Sequence, residues 1–248
     1  MKIKLISDLH VDCQRDAGKS LIESIPNSDH DLTIIAGDLC EGGDTDFYFD
    51  TIAKLSDHFK EILLVNGNHE YWGGYANAVD QDIDQTISCF NNVIRLKPGF
   101  PEKFQGISIH GGTLWFDDSP GWEETKRGFP DFSRIGNFVP WVFNEHQKFI
   151  KMFEDGLVQE GDIVVSHHLP SFKCVHPEYA GSRINRFFAN NMDKYIAQYK
   201  PSHWLFGHTH HSIDMMLDNT HAMCNPHGYP GEHCNATFNE NLIIEVGK

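Results

Sequence analysis

The chain begins Met1-Lys2-Ile3-Lys4-Leu5-Ile6-Ser7-Asp8-Leu9-His10, in which a short apolar run leads directly into a carboxylate and an imidazole. The same arrangement recurs downstream, where Leu32 to Ala36 precedes Gly37-Asp38, and Ile62 to Val65 precedes Asn66-Gly67-Asn68-His69-Glu70. Short apolar runs separated by helix-length stretches are typical of βαβ units around a buried parallel sheet. Since functional loops in such sheets lie at the carboxyl ends of the strands, we expect these polar clusters to meet there.

The pattern returns in the second half of the chain. Ile163-Val164-Val165-Ser166 precedes His167-His168, and Trp204-Leu205-Phe206 precedes Gly207-His208-Thr209-His210. The intervening periodicity predicts helices over residues 19–24, 46–58, 75–89, 141–154 and 190–199. Strand-like runs over residues 213–217, 220–224 and 242–246 predict antiparallel closure of a second sheet. The predicted fold class is therefore α/β.

The stretch 117–140 interrupts this rhythm. It is rich in Gly, Pro, Asp and aromatic residues and has no clear period. Loops of this length are usually functional or disordered, and Trp122, Phe129, Phe132 and Phe138 favour a packed lid. Because no repeat, low-complexity segment or linker interrupts the remainder, we predict a single domain over residues 1–248 with this insertion.

The composition of the chain limits which binding partners and which cellular location we expect. The 248 residues include 35 acidic and 20 basic side chains, for a formal net charge of −15, and such a charge disfavours binding to long duplex nucleic acid. No apolar run approaches the roughly 18 residues of a membrane span, and no secretory signal is visible. The six cysteines lack any C-x-x-C pair, which favours a reduced, cytoplasmic location. Oligomeric state stays open.

Histidine is unusually frequent, with 16 copies, and imidazole is the commonest protein ligand for transition metals. Seven carboxylate, amide and imidazole donors follow the predicted strands: Asp8, His10, Asp38, Asn68, His167, His208 and His210. This mixture of donors suits Mn, Fe, Zn, Co or Ni. It matches neither the thiolate ligands of a structural zinc site nor the all-oxygen ligands of a calcium site. Seven donors exceed the needs of one tetrahedral ion and fit two ions that share a carboxylate.

Taken in order, these motifs resemble those of the calcineurin-like metallophosphoesterase superfamily, from residue 1 to about residue 211. Its small bacterial and phage members are also similar in three further segments: Gly112-Thr113-Leu114-Trp115, Tyr179-Ala180-Gly181-Ser182 and Asn225-Pro226-x-Gly228-Tyr229. The resemblance implies a four-layer αββα sandwich, with two mixed β-sheets flanked by helices. It also implies a ligand set: Asp8, His10 and His210 on the first metal, Asn68, His167 and His208 on the second, and Asp38 bridging both. His69 would then face the substrate.

These ligands predict a binuclear metal-dependent phosphohydrolase. Two cations lower the pKa of a shared water, so that a hydroxide attacks phosphorus in line. We expect Mn first, with Fe, Zn, Ni, Co and Mg as alternatives, and we assign the catalytic roles to Asp38 and His69. His69 would stabilise the phosphoryl group or protonate the departing alkoxide. The predicted substrate is a small phosphodiester or phosphomonoester, with nucleotides among the candidates.

Other roles are less determined by sequence. His168, Arg183 and Arg134 are predicted substrate contacts, with a supporting role as the alternative for His168 and surface salt bridges for the arginines. Glu70 could orient an imidazole or stabilise a helix start. Three alternative functions remain open at this point: a nuclease acting on single strands or ends, a protein phosphatase, and a non-catalytic interaction scaffold that retains the fold.

Overall fold

The apolar runs of the sequence form the strands of two β-sheets. The computed structural model describes residues 1–232 and 236–247, so that Cys234 lies outside it. The strands are β1 (Lys2–Ile6), β2 (Leu32–Ala36), β3 (Ile62–Val65), β4 (Val93–Arg95), β5 (Glu102–Phe104), β6 (Ile107–Gly111), β7 (Ile163–Val165), β8 (His203–Phe206), β9 (Ile213–Leu217), β10 (Thr220–Cys224) and β11 (Ile243–Glu245). The helices are α1 (Lys19–Ser24), α2 (Thr45–His58), α3 (Ala76–Ile87), α4 (Trp122–Thr125), α5 (Asp131–Arg134), α6 (Phe138–Glu154) and α7 (Asp193–Tyr199).

Both sheets are mixed. The first has the order β11-β1-β2-β3-β4, in which β1 to β4 are parallel and β11 runs antiparallel to β1. The second has the order β5-β6-β7-β8-β10-β9, in which the four inner strands are parallel and the two edge strands antiparallel. With helices on both outer faces, this arrangement confirms the expected four-layer αββα sandwich.

The tail of the chain differs from its prediction in one strand. β9 and β10 extend the second sheet as expected, but β11 pairs with β1 in the first sheet, with Ile3 opposite Ile244. Backbone hydrogen bonds between Met1 and Val246, at 3.0 and 2.8 Å, hold this edge. Periodicity identifies a strand but not its partner, because partner choice depends on which sheet edge the preceding chain leaves accessible.

The core explains why the strand sequences lack a polar face. Alternate residues of one strand point to opposite faces. Leu205 of β8 packs in the apolar layer between the two sheets, whereas Trp204 and Phe206 pack against the outer helices. In β1, Ile3 and Leu5 lie between the sheets and Ile6 lies on the outer side. Both faces are buried, so most side chains on both are apolar. Lys4 is a buried exception, whose ammonium donates to the Glu240 carbonyl at 2.7 Å.

The insertion over residues 117–140 packs through its aromatic side chains. Phe129 is 5% exposed and stacks on Phe187 with ring centroids 5.0 Å apart, and Trp122 stacks on Phe132 at 5.5 Å. The Arg186 guanidinium donates hydrogen bonds to the carbonyls of residues 119 and 120 and so pins the start of the insertion to the loop after β7. The single-domain organisation and the role of this segment as a lid stay predictions.

In the described part of the chain, no helix combines the length and the apolar character needed to cross a bilayer.

Candidate metal centre and active site

The predicted ligands lie in the loops that follow five central strands. Because these strands are parallel within each sheet and the sheets face each other, the loops meet at one edge of the sandwich. The placement is Asp8 and His10 after β1, Asp38 after β2, Asn68 and His69 after β3, His167 after β7, and His208 and His210 after β8. The structure therefore brings together all seven donors that the sequence singled out.

One group of donors contains Asp8, His10, Asp38 and His210, whose ligand atoms all lie within 4.8 Å of one another. His10 Nε2 is 3.1 Å from His210 Nε2 and 3.7 Å from Asp38 Oδ2. His210 Nε2 is 3.6 Å from Asp8 Oδ1. Two imidazole nitrogens and two carboxylates thus point at a common centre.

A second group contains Asp38, His167 and His208, with donor atoms again within 4.8 Å of one another. His167 Nε2 lies 3.3 Å from Asp38 Oδ2 and 3.1 Å from His208 Nδ1. The same nitrogen is 3.1 Å from Asn68 Oδ1. Asp38 therefore belongs to both groups.

The chemistry of these donors fits divalent cations. Imidazole nitrogens facing each other at about 3 Å compete for one proton, whereas a shared cation would accept every lone pair. Asp8 Oδ2 is buried and has no hydrogen-bond partner among the described residues. Although burial alone would lower the pKa of His167, the carboxylates of Asp38 and Asp8 outweigh it and raise the pKa to about 10. The excess negative charge at the site is what a cation would neutralise.

The ligand loops carry unusual backbone strain. Five of the seven donors have positive φ angles, which non-glycine residues seldom adopt: Asp8 (54°), His10 (42°), Asp38 (56°), His208 (68°) and His210 (51°). Left-handed backbone costs an L-residue roughly 1–2 kcal/mol, and such strain concentrates at functional sites. Loop-to-loop hydrogen bonds hold these conformations; for example, the backbone N–H of His208 donates to Asp8 Oδ1 at 2.9 Å.

Glu70 ties two of these loops together. Its carboxylate is buried and accepts hydrogen bonds from the backbone N–H groups of Leu39 (2.6 Å), Gly67 (2.6 Å) and Asp38 (3.1 Å). Burial raises the pKa of Glu70 to about 8, while these N–H donors act in the opposite direction. Glu70 thus orients the loop of a ligand, Asp38. Of the two roles left open by the sequence, no described hydrogen bond joins Glu70 to an imidazole, and Glu70 does lie in the first turn of a short 3-10 helix, His69–Tyr71.

Two further groups orient ligand imidazoles. The Ala36 carbonyl accepts from His167 Nδ1 at 2.8 Å, which turns Nε2 of that ring toward Asp38. Glu232 Oε2 lies 2.7 Å from His210 Nδ1, an arrangement in which a carboxylate raises the basicity of a ligand imidazole. Both contacts leave the inward-facing nitrogen available for a cation.

Asn68 is oriented by a residue from the insertion. Asp131 Oδ1 accepts from Asn68 Nδ2 at 3.0 Å and from Trp72 Nε1 at 2.7 Å. With its amide nitrogen held by Asp131, Asn68 presents its oxygen to His167 Nε2. Asp131 is fully buried, and burial raises its pKa to about 7. The insertion therefore contributes directly to the donor arrangement.

His69 lies beside both donor groups. Its backbone N–H donates to Asp38 Oδ1 at 3.0 Å, and its ring stacks on Trp72 with centroids 3.5 Å apart. His69 Nε2 lies 2.8 Å from the hydroxyl of Tyr229. Burial is the main reason that the pKa of His69 falls to about 4, so the imidazole is neutral at physiological pH.

A cavity of about 370 Å³ opens onto this edge of the sandwich. Asp38, Asn68, His69, His208 and His210 line its inner end. Its outer walls come from residues 128–131 of the insertion and from residues 169–188 after β7. The cavity therefore joins the donor groups to a space large enough for a small ligand.

The predicted substrate contacts are not brought to the cavity. His168 is fully buried, lies behind His208 with ring centroids 4.3 Å apart, and bonds the Thr113 carbonyl through Nδ1. Arg134 pairs with Glu41 at 2.9 Å and covers the ring of Trp72 at 4.3 Å. Arg183 is exposed and is not part of the cavity wall. The sequence places all three near the motifs but does not determine where their side chains point.

The sequence interpretation assigned no role at the site to Tyr229, Glu232 or Asp131. Tyr229 stands in the segment Asn225-Pro226-His227-Gly228-Tyr229, whose Gly and Pro indicate a turn that brings the chain back over the site. Asp131 is an acid inside the aromatic insertion, and that unusual setting was its only signal. Cys40, two residues beyond Asp38, is buried beside Thr51 and outside both donor groups.

Known proteins are similar to this chain in sequence or in fold. A model of the family described as calcineurin-like phosphoesterase matches residues 1–212. An uncharacterized protein of Acanthamoeba polyphaga mimivirus is 25% identical over 288 aligned residues, covering 98% of this chain and 96% of that protein. The crystal structure of phosphopantetheinyl hydrolase (PptH) from Mycobacterium tuberculosis is similar, with a TM-score of 0.70 and 20% identity over 92% of this chain and 90% of that chain. GAP50, the anchor in the inner membrane complex of Plasmodium, has a TM-score of 0.51 and 9% identity over 100% of this chain and 79% of that chain.

Proposed function

This chain belongs to the calcineurin-like phosphoesterase family and is a metal-dependent phosphoesterase, and we propose that it hydrolyses a small phosphodiester or phosphomonoester with two divalent ions bridged by Asp38. One observation carries the proposal. Asp38 Oδ2 lies 3.7 Å from His10 Nε2 in one donor group and 3.3 Å from His167 Nε2 in the other. A carboxylate shared between two sets of donors is the arrangement that two neighbouring cations require.

The remaining donors divide between the two proposed ions. Asp8, His10 and His210 would complete the first coordination sphere, and Asn68, His167 and His208 the second. We propose Mn²⁺ as the preferred ion, because mixed carboxylate, amide and imidazole ligands suit borderline divalent metals. Such a pair supplies a hydroxide nucleophile at neutral pH and polarises the phosphoryl oxygens.

His69 and Tyr229 act on the departing oxygen in this proposal. Burial keeps His69 neutral, and the hydrogen bond between His69 Nε2 and the Tyr229 hydroxyl at 2.8 Å places a proton donor at the wall of the cavity. A neutral imidazole can donate a hydrogen bond to a phosphoryl oxygen or to the departing oxygen. Protonation of the leaving alkoxide by His69 would require the imidazolium form, with its extra proton taken from solvent. Asp38 accepts the backbone N–H of His69, so that one contact positions both residues.

The alternatives have less support. GAP50 shares the fold and is named as an anchor, but an interaction scaffold has no need to keep seven convergent donors. A nuclease acting on strands would need a positively charged groove leading to the metals, and among the described residues that line the cavity there is neither lysine nor arginine.

The test uses metal-stripped protein resupplied separately with Mn²⁺, Fe²⁺, Zn²⁺, Ni²⁺, Co²⁺ or Mg²⁺. Hydrolysis of bis-p-nitrophenyl phosphate and p-nitrophenyl phosphate is measured beside the number of bound ions per chain. Asp38→Asn should lose bound metal and turnover together, while His69→Ala should keep its ions and lose roughly 10²–10⁴-fold in kcat. Asp214→Asn, which changes an exposed acid on β9, is the matched control. Unchanged turnover in Asp38→Asn, or one ion per chain in an active protein, would overturn the proposal.

A further inference from the structure

Two separate segments of the chain each form one wall of the cavity beside the donor groups. Phe129, Pro130 and Asp131 of the insertion form one wall, while Leu169 and Phe188 belong to the other. Phe129 packs on Phe188 at its base, with ring centroids 5.5 Å apart. Because aromatic contacts hold both walls, the cavity is largely preformed, as in most small-molecule sites.

The chemistry of these walls is mainly apolar. Beyond the donor groups the lining includes Trp72, Val175 and Ile184, in addition to the aromatic side chains at the base. Apolar walls of this kind contribute binding energy by removing apolar surface from water. They contribute nothing to the binding of a charged group.

Cations are missing where an anionic leaving group would need them. None of the described lining residues is a lysine or arginine. Arg134 pairs with Glu41 and covers the ring of Trp72, and Arg186 bonds two backbone carbonyls. Arg183 is exposed and lies outside the lining. The carboxyl groups in the lining outside the two donor groups belong to Asp131 and Glu232. An anionic leaving group would meet these acids and uncharged polar side chains such as Ser182, Asn185 and Thr209, but no described lysine or arginine.

The outer rim is aromatic. His176 and His211 stack with ring centroids 4.0 Å apart and 21° between the ring planes, and Tyr179 lies beside His211. Donor atoms of His176, Glu178 and His211 lie within 4.8 Å of one another. However, imidazole lone pairs lie in the ring plane, so two stacked rings cannot point at one ion. These rim residues therefore extend the cavity wall and do not form a further metal site.

From these observations we infer that the substrate is a phosphate ester of an uncharged, largely apolar alcohol, whose leaving group occupies this cavity while the phosphate lies at the donor groups. The inference rests on the proposed function and narrows its substrate class. It excludes leaving groups that carry a further phosphate, sulfonate or carboxylate, because burying an unpaired anion beside carboxylates is costly. Nucleoside polyphosphates and acidic phosphopeptides are excluded on the same ground.

The test compares naphthyl phosphate with its ring-sulfonated analogue, as monoesters or as methyl diesters, whichever class the Mn²⁺-loaded protein hydrolyses. The measurement is made at pH 8, where an ordinary imidazole is neutral. We expect kcat/KM to be at least roughly tenfold higher for the uncharged ester. Sulfonation makes the naphthol a better leaving group, so intrinsic reactivity favours the opposite order. Equal or reversed kcat/KM values in an active protein would overturn this inference and leave the proposed function intact.

A charge placed in the wall tests the same inference from the protein side. Ser182 is exposed and lines the cavity, so Ser182→Lys adds a cation without burying it. We expect the preference for the uncharged ester to shrink severalfold in this variant. Ser133→Lys, at an exposed serine of the insertion outside this lining, should leave the preference unchanged. An unaltered preference in Ser182→Lys would contradict the placement of the leaving group, and no turnover of either ester with any ion would overturn the proposed function as well.

Discussion

The hydroxyl of Tyr229 lies 2.8 Å from Nε2 of His69. Burial raises the pKa of Tyr229 above its ordinary value, so the hydroxyl keeps its proton at physiological pH. The same tyrosine ring stacks on His10, with centroids 4.2 Å apart. A residue from the C-terminal part of the chain thus holds the proposed catalytic imidazole in place and covers a proposed metal ligand.

Replacing Tyr229 separates these two roles. Tyr229→Phe keeps the ring on His10 and removes only the hydroxyl, so bound metal should be unchanged while kcat falls roughly 2- to 10-fold, since a hydrogen bond between neutral groups contributes about 0.5–1.5 kcal/mol. Turnover and bound ions are measured on the same preparation. Tyr75→Phe, at a tyrosine that is 64% exposed, serves as the control. Loss of metal from Tyr229→Phe, or an unchanged kcat, would contradict the assignment.

Asp131 is expected to control metal affinity through Asn68. Asp131→Ala leaves the Asn68 amide without its acceptor, so the affinity for one of two ions should fall roughly 10- to 100-fold. Asp131→Asn keeps an acceptor oxygen and should restore most of that affinity. Titration of metal-stripped protein with Mn²⁺ provides the measurement.

A matched control for Asp131 exists within the same insertion. Asp118 Oδ1 also accepts a hydrogen bond from an indole N–H, that of Trp122 at 2.8 Å, but it is exposed. Asp118→Ala should leave the affinity for both ions unchanged. If Asp131→Ala and Asp118→Ala changed metal affinity equally, the prediction that the insertion positions Asn68 would be wrong.

Gly67 is expected to tolerate no side chain. A Cβ at this position would overlap Asp38 Oδ1 and lie 2.7 Å from the Asp38 backbone nitrogen. Gly67→Ala should therefore displace Asp38 and abolish binding of both ions, with a loss of unfolding free energy of roughly 1–3 kcal/mol. Gly156→Ala is the comparison, because its φ is 68° but nothing lies within 4 Å; it should cost about 1–2 kcal/mol and retain both ions. Two bound ions in Gly67→Ala would refute the close packing of these loops.

The buried imidazole of His146 predicts acid sensitivity away from the metal centre. His146 Nδ1 bonds the Trp115 carbonyl, and burial is the main cause of its lowered pKa. At pH values between the pKa of His146 in the folded state and its pKa in the unfolded state, the unfolded chain binds more protons. The contribution of His146 to the free energy of unfolding is therefore complete above about pH 6.5 and decreases as the pH falls below that value. Urea unfolding at several pH values should show a shallower loss in His146→Gln than in the parent protein. Parallel pH profiles would exclude this contribution.

Much of the ligand set follows from local sequence. Asp8, Asp38 and His167 each stand one or two residues beyond an apolar run, and the ends of parallel strands must lie at one edge of a sheet. The fold class and the convergence of seven donors follow from that single regularity, whereas the four-layer arrangement was implied only by the resemblance to a known family. The orientation of a long side chain does not follow from strand-end position. Arg134, for example, pairs with Glu41 and is not part of the cavity lining.

The sequence by itself determined which residues could bind cations and at which edge of the sheets they would meet, because strand-end positions are a local property of the chain. Only the tertiary structure decided what orients them. Asp131 lies 63 positions from Asn68, Glu232 lies 22 from His210, and Tyr229 lies 160 from His69. Such pairs form because separate loops pack against one another at the same edge. Contacts made by packing leave no periodicity in the sequence, so they become visible only when the loops are assembled.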